Sequence, residues 1–170
     1  MTTGDVARKS PLSGAQVAAA LAAILMATSV LPLAAAWLLN ETRIAQTRTR
    51  VLRAGEELRA NFSLVIASGV SGVACGPGRP PDLVLPVVNA RAAAAALATH
   101  DAWLRGARRA PEWFGPRMPA DAWGRCLLLN LGEGSADGPV WLLSAGPNGV
   151  VETPPDASAP VGDDIGDRIR

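Results

Sequence analysis

The chain has 170 residues and a formal net charge of +1, so it is long enough for one small domain and one additional element. A charge so close to zero excludes a surface that binds nucleic acid by neutralising many phosphates. The chain has no tyrosine and a single histidine, so few side chains could perform acid–base catalysis, and we expect no enzymatic activity.

The first predicted element is an apolar helix over residues 15–39, which follows a basic, leader-like segment at residues 1–14. No charged residue lies between Lys9 and Glu41. The apolar run is longer than the ~20 residues that a helix needs to cross a bilayer. As a helix it would be roughly 38 Å long. Trp37 lies near its end, where interfacial indoles are enriched. We therefore expect a retained transmembrane anchor.

A cleaved signal peptide is the alternative interpretation of the same segment. Arg8 and Lys9 would form its basic region, and the sequence from Leu33 to Ala36 contains an A-x-A-like cleavage site. Cleavage at Ala36 would release the rest of the chain from the membrane. The unusual length of the apolar run favours the anchor.

An amphipathic helix signal continues directly over residues 40–67. Apolar residues recur every seven positions, at Ile44, Val51, Leu58 and Val65. Gly55 weakens this signal by about 1 kcal/mol relative to alanine. We expect one nearly continuous helix whose second half packs on a small α+β head formed by residues 68–170.

The head is predicted to contain short elements. An alanine-rich helix should follow Asn89 and reach about Arg109. His100 and Asp101 near its end are expected to form a solvated pair. The polar tail, residues 154–170, should be disordered without a ligand. Four short segments are predicted as strands: residues 83–88, 127–131, 140–143 and 150–151.

Three motifs near the C-terminus follow one another in a recognisable order. They are D-A-W-G from Asp121, S-A-G-P-N-G from Ser144 and G-D-D-I from Gly162. This order resembles the C-terminal half of type II secretion pseudopilins, where D-P-W-G, S-L-G-A-D-G and an acidic loop form a calcium-bound sheet. A long helix with its first half in the membrane and its second half packed on a small domain is similar to the helix of the same type IV pilin-like family. The resemblance implies a long helix packed on a small antiparallel sheet.

The resemblance also implies a calcium site. Calcium takes six to eight oxygen ligands from carboxylates, amides and carbonyls. The expected donors are the side chains of Asn148, Asp163 and Asp164 and the carbonyl of Ala145. Asn148 stands where the family has aspartate, which removes one negative charge and should weaken binding.

The two cysteines, Cys75 and Cys126, are either two unpaired thiols or one disulfide. A disulfide requires an oxidising compartment. No CxxC motif is present, so the cysteines do not predict a zinc site.

The function implied by the resemblance is assembly. The protein would be a pseudopilin-like subunit of a type II secretion or related pilus-like system, in a homo- or hetero-oligomer. Its partners would be other pseudopilin subunits and inner-membrane secretion components. It would cross the bacterial inner membrane once, with its head in the periplasm. The family's leader is cut after a glycine, which places cleavage between Gly14 and Ala15.

Two observations oppose parts of this interpretation. No glutamate lies in the apolar run, although the family usually carries one there at the fifth mature position, here Ala19. Four arginines follow the apolar run, whereas only two basic residues, Arg8 and Lys9, precede it. By the positive-inside rule, this excess of positive charge after the run favours a cytoplasmic head. We follow the resemblance because arginines on a long helix can face partner subunits.

Two other functions are compatible with the sequence. The first is a signal-anchored or secreted periplasmic domain that binds a ligand or partner and has no filament role. The second is a small hydrolase with Ser144 as nucleophile. The hydrolase is the weaker of the two, because His100 is the only histidine that could act as its base.

Overall fold

The computed structural model describes residues 13–63, 72–82, 90–110, 114, 117–130 and 138–170. Within these ranges the helices are α1 (Gly14–Ala60) and α2 (Ala90–Leu104). The strands are β1 (Val73–Cys75), β2 (Arg108–Arg109), β3 (Leu128–Asn130), β4 (Trp141–Ser144) and β5 (Ile165–Arg168). The chain divides into two compact units, Met1–Leu39 and Asn40–Arg170.

The first unit contains the apolar half of α1. The helix begins with a capping box, in which Gln16 N–H donates to Ser13 Oγ and Ser13 N–H donates to the Gln16 side chain. Every described side chain up to Leu39 is exposed. Among the described residues, α1 is the one helix long and apolar enough to cross a membrane, with a mean hydropathy of 2.2 over its most apolar window.

The polar groups within this apolar half are satisfied inside the helix. The hydroxyls of Thr28 and Ser29 donate to backbone carbonyls at Ile24 and Leu25, at 2.9–3.0 Å. Pro32 lies inside α1 without ending it. Internal satisfaction of hydroxyls and tolerance of proline are both typical of helices in lipid.

The prediction of a nearly continuous helix is confirmed. Helix α1 passes through residues 38–47, where a turn would have contradicted the prediction, without a break. Of the seven-residue stripe, Val51 and Leu58 are buried and Ile44 is half-buried. Helix α1 ends at Ala60, before the predicted end near residue 67. Residues 64–67 lie outside the described residues.

The second unit is built on a sheet with the strand order β2-β1-β3-β4-β5. Strands β1 and β2 are parallel, and the other described pairs are antiparallel. The α+β fold class is therefore confirmed, but the sheet is mixed and not wholly antiparallel. The reason is that α2 carries the chain back between β1 and β2, and a parallel pair needs such a crossover.

Successive residues of the central strands face opposite sides of the sheet, as the two-residue period of a strand requires. Leu129 and Leu142 pack with Val51 and Leu58 of α1. On the other face, Leu128 and Leu143 pack in a second cluster, which includes residues of α2. That cluster contains Trp103, Cys126, Leu128, Trp141, Leu143, Ala145 and Val151, with Val73, Cys75 and Leu104 beside it. The second unit thus has three layers, with the sheet between two helices.

The predicted hairpin is present, but its third strand was placed wrongly. Strand β3 lies within residues 127–131, and β4 corresponds to the prediction for residues 140–143. Residues 150–151 are not a strand. Strand β5, in the tail that was expected to be disordered, pairs with β4 instead. The tail is ordered because Ile165 and Ile169 bury their side chains in the core on the α1 side.

Two further expectations differ from the structure. Strand β1 lies in a Gly/Pro-rich segment for which no strand was predicted. Helix α2 ends at Leu104 and not near Arg109, since Gly106 adopts a φ of 78° and turns the chain into β2. The strand predicted at residues 83–88 lies outside the described residues.

Cys75 and Cys126 are joined in a disulfide that connects β1 to the residues before β3. Their Cα atoms lie 5.6 Å apart, within the usual range for disulfides. The bond closes a separation of 51 residues. In the chain-entropy treatment a loop of that size stabilises the folded state by about 4 kcal/mol.

Gly55 provides space for a contact between α1 and β5. A Cβ at residue 55 would overlap the carboxylate of Asp167. That carboxylate also accepts a hydrogen bond from Arg59, with 2.7 Å between Nη2 and Oδ1. The glycine that weakened the helix signal in the sequence is therefore required by the approach of the last strand.

We predict that Gly55→Ala destabilises the protein by about 1–3 kcal/mol, because the added methyl group overpacks the helix–strand contact. Helix propensity alone predicts the opposite effect, an increase of about 1 kcal/mol in the free energy of unfolding. Denaturant unfolding of the full chain in detergent measures the change. In an Asp167→Ala background, where the overlap is relieved, the same substitution should be neutral or stabilising. A stabilising effect in both backgrounds would show that the contact is not tight.

Candidate functional site at the Asp121 turn and the closing loop

The first two motifs meet at the carboxylate of Asp121, which is 2 % exposed. Its Oδ1 accepts hydrogen bonds from the backbone N–H groups of Trp123 and Arg125, at 2.9 and 2.8 Å. Its Oδ2 accepts from Ser144 Oγ at 2.9 Å. Gly124 completes the turn with a φ of 78°. The motif D-A-W-G thus forms the Asp121 turn (residues 121–125), and Ser144 ties it to the end of β4.

Helix α1 is bonded to the same turn. Thr47 Oγ1 accepts a hydrogen bond from the backbone N–H of Ala122 at 3.0 Å. Arg50 Nη1 donates to the carbonyls of Ala120 and Asp121, each at 2.9 Å. One of the four arginines that follow the apolar run therefore binds the head.

Arg125 is a buried cation, 3 % exposed, at the centre of this junction. Its Nε lies 3.4 Å from Asp121 Oδ2, which is an ion-pair distance without a hydrogen bond. Its Nη2 donates to the carbonyl of Gly146, and its guanidinium lies 5.2 Å from the ring centroid of Trp123. A Cβ at Gly149 would overlap Nη1. The guanidinium therefore fills the inner side of the Ser144 turn (residues 144–149).

The second and third motifs also meet. The backbone N–H of Asn148 donates to Asp163 Oδ2 at 2.9 Å. The side-chain Oδ1 of Asn148 accepts from the N–H of Val150 at 2.7 Å, which closes a local turn. The carbonyl of Ala145 accepts from the N–H of Gly149 at 3.1 Å. The Ser144 turn is therefore in contact with the closing loop (residues 161–164).

Asp164 anchors the closing loop to the segment before it. Its Oδ2 accepts three hydrogen bonds, from Glu152 N–H at 2.8 Å and from the N–H and Oγ1 of Thr153 at 2.7 Å. Burial raises the pKa of Asp164 to about 6, although the bonds from Thr153 oppose the shift. Burial also raises the pKa of Asp163, and the charge of Glu152 adds to that shift.

One oxygen of each closing-loop aspartate is left over. Among the described residues, Oδ1 of Asp163 and Oδ1 of Asp164 are buried and have no hydrogen-bond partner. Buried carboxylate oxygens without donors fit a hard cation. The oxygens of Asn148 and Ala145 fit less directly, because each accepts a bond within its own turn. No group of three His, Cys, Asp or Glu side chains in the described ranges could hold a metal ion, so any ion would also need amide, carbonyl or water oxygens.

Sequence analysis did not identify two residues of this site. Arg125 follows the D-A-W-G motif directly but was not assigned a role. Glu152 lies in the segment between the second and third motifs, and its Oε2 accepts from Asp163 N–H at 3.3 Å. Arg125 is adjacent to the first motif, which is a weak signal, whereas no pattern in the sequence marks Glu152.

The expectation that His100 is solvated is wrong. His100 is 3 % exposed, and its Nδ1 accepts a hydrogen bond from the N–H of Val151 at 3.2 Å. Nearby on α2, Trp103 Nε1 donates to the carbonyl of Thr153 at 2.7 Å. Both bonds dock α2 on the segment that binds Asp164. Ser144 Oγ donates to Asp121, so Ser144 and His100 have different partners and are not paired as nucleophile and base.

The bond between Gly14 and Ala15, where a leader would be cut, lies in the first turn of α1. The capping box between Ser13 and Gln16 spans it. A peptidase acting there would have to open this turn, and cleavage would remove the cap.

Comparison of the chain with known protein families, with curated proteins and with solved structures finds no match. The long apolar N-terminal helix and the small mixed sheet are consistent with a pilin-like fold. The function is therefore inferred from this fold and from the contacts described above.

We predict that His100 makes stability fall in mild acid. Burial lowers the pKa of His100 more than the charge of Asp101 raises it. The folded state thus binds fewer protons than the unfolded state, and stability is lost as the pH falls below the unfolded value of about 6.5. The loss is at most about 1.4 kcal/mol per pH unit.

The measurement is the free energy of unfolding between pH 8 and pH 5, compared with His100→Asn, which keeps an acceptor for Val151 N–H. Asp163 and Asp164 titrate in both proteins, so the difference between the two isolates the histidine. A difference that does not change with pH would contradict the prediction.

Proposed function

We propose that this protein is a non-catalytic, pseudopilin-like subunit of a type II secretion or related pilus-like assembly, with a role in protein secretion. The supporting observation is helix α1. Its first half is uncharged and exposed, and its second half forms one layer of the head. Its partners are other pseudopilin subunits and inner-membrane secretion components.

The exposed apolar half of α1 supports a membrane location. Large side chains such as Leu25, Met26 and Leu33 are 66–71 % exposed, which is unfavourable in water over so long a surface. Lipid or neighbouring helices would cover them. The run is rich in alanine, and small residues let helices approach closely in a membrane.

Two features support a head in the periplasm. The disulfide between Cys75 and Cys126 is of the kind that persists in oxidising compartments. Arg50, one of the arginines that favoured the opposite orientation, donates hydrogen bonds to the carbonyls of Ala120 and Asp121. Its position on the helix therefore has a structural reason unrelated to membrane topology.

We predict that copies of the full chain cross-link through the apolar half of α1. The test places a single new cysteine at Leu25 in bacterial inner membranes and applies an oxidant, while Cys75 and Cys126 stay paired with each other. Leu25→Cys should give covalent dimers. Asp156→Cys, at an exposed site on the head, is the control and should give few. Absence of dimers from Leu25→Cys would contradict an assembly role. A soluble product that has lost residues up to Ala36 would instead support the secreted alternative.

The proposal includes one calcium ion at the closing loop. The free Oδ1 atoms of Asp163 and Asp164 would be its carboxylate ligands, and Asn148 and Ala145 would supply further oxygens. A bound calcium would contact the Oδ1 atoms of these carboxylates, which accept no hydrogen bond. In its absence, two adjacent acidic side chains are held in a region of low polarity.

We predict that calcium raises the melting temperature of the full chain in detergent relative to chelator. Ligand binding to the folded state stabilises it by RT ln(1 + [Ca]/Kd), about 2.7 kcal/mol at a hundredfold excess over Kd. Asp164→Ala should abolish the calcium effect. Asp156→Ala, at an exposed acidic residue of the same tail, should preserve it. Coincident melts of the wild-type protein with calcium and with chelator would remove calcium from the proposal.

A further inference from the structure

Arg125 places a fixed positive charge beside the proposed calcium site. Its Nη2 donates to the carbonyl of Gly146 in the Ser144 turn. On the other side of that turn, a Cβ at Gly146 would overlap the backbone of Asp163. One glycine therefore separates the guanidinium from the closing loop.

The charges of this region explain what such a cation does. Four buried or half-buried carboxylates meet here, on Asp121, Glu152, Asp163 and Asp164. Asn148 is neutral at the position where the resemblance led us to expect another. Arg125 is the one cation that the described contacts place among them. A buried guanidinium with several acceptors compensates carboxylates without any metal.

We propose that Arg125 is a built-in cation that holds the Asp121 turn to the Ser144 turn without metal and lowers the affinity of the closing loop for calcium. This inference rests on the calcium site of the proposed function. The physical reason is that a fixed positive charge behind the Ser144 turn repels a divalent cation on its other side. In a region of low dielectric constant this repulsion is larger than in water.

The test compares calcium binding by the full chain in detergent, measured by titration calorimetry, between the wild type and Arg125→Met. We expect Arg125→Met to bind calcium roughly tenfold more tightly or better, since a like charge has been removed. In chelator the same variant should melt at a lower temperature than the wild type. If Arg125 had only a structural role, Arg125→Met would lower both the calcium affinity and the melting temperature. Arg125→Lys, which keeps the charge, should retain weak calcium binding.

Arg117→Met is the matched control, because it changes the net charge equally but removes an exposed pair with Glu57. It should leave the calcium affinity unchanged. Equal affinities of the wild type and Arg125→Met would overturn the inference while leaving the calcium site in place. Absence of calcium binding in both would overturn the inference together with the calcium site, and the cross-linking test of assembly would be unaffected.

A second variant covers the case in which Arg125→Met does not fold. Asn148→Asp adds a carboxylate next to Asp163 and close to the guanidinium. If Arg125 supplies the compensating charge, this variant should melt in chelator at or above the wild-type temperature and should bind calcium more tightly. A lower melting temperature in chelator would show that the added charge is not compensated, and would overturn the inference.

Discussion

The rest of the head depends on the hydrogen bonds and the ion pair that the buried carboxylate of Asp121 forms. It accepts hydrogen bonds from two backbone N–H groups of its own turn and from Ser144, and it pairs with Arg125. The turn that it organises also receives α1, through Thr47 and Arg50. Removing this carboxylate would leave the buried guanidinium without its ion-pair partner and would leave the three donors without this acceptor. Such a loss costs far more than the loss of an exposed ion pair.

The order of the C-terminal tail follows from this junction. The Ser144 turn contacts the closing loop through Asn148 and Asp163, and Asp164 binds the segment at Thr153 that α2 covers. The closing loop therefore has a fixed position from which β5 starts. Strand β5 then adds to β4 and buries apolar side chains against the α1-side core. The tail is polar in composition, yet these contacts order it as an edge strand of the sheet.

The sequence predicted the elements that have a clear apolar pattern and missed those that do not. Helix α1 carries a seven-residue apolar stripe, and β3 and β4 lie in continuous apolar runs. Strand β5, I-G-D-R, has a single apolar residue, and β1 has three residues in a segment rich in glycine, so no alternation marks either one. In the site, the order of the motifs predicted that Asn148 and Asp163 come together, and they do so through the backbone N–H of Asn148, because its side-chain oxygen accepts from Val150. Burial of His100 and the positions of Arg125 and Glu152 depend on tertiary packing, which local pattern does not encode.

The most direct test of the account is the unfolding free energy of Asp121→Ala, measured beside Asp82→Ala. Asp82 forms an ion pair with Arg79 in which both side chains are well exposed, at 44 % and 61 %. If Asp121 holds the head together, Asp121→Ala should lose about 3–5 kcal/mol, as expected when one partner of a buried pair is removed. Asp82→Ala should lose less than about 1 kcal/mol. Equal, small losses for the two variants would contradict the account, because the helix, the turns and the closing loop would then be held by other contacts.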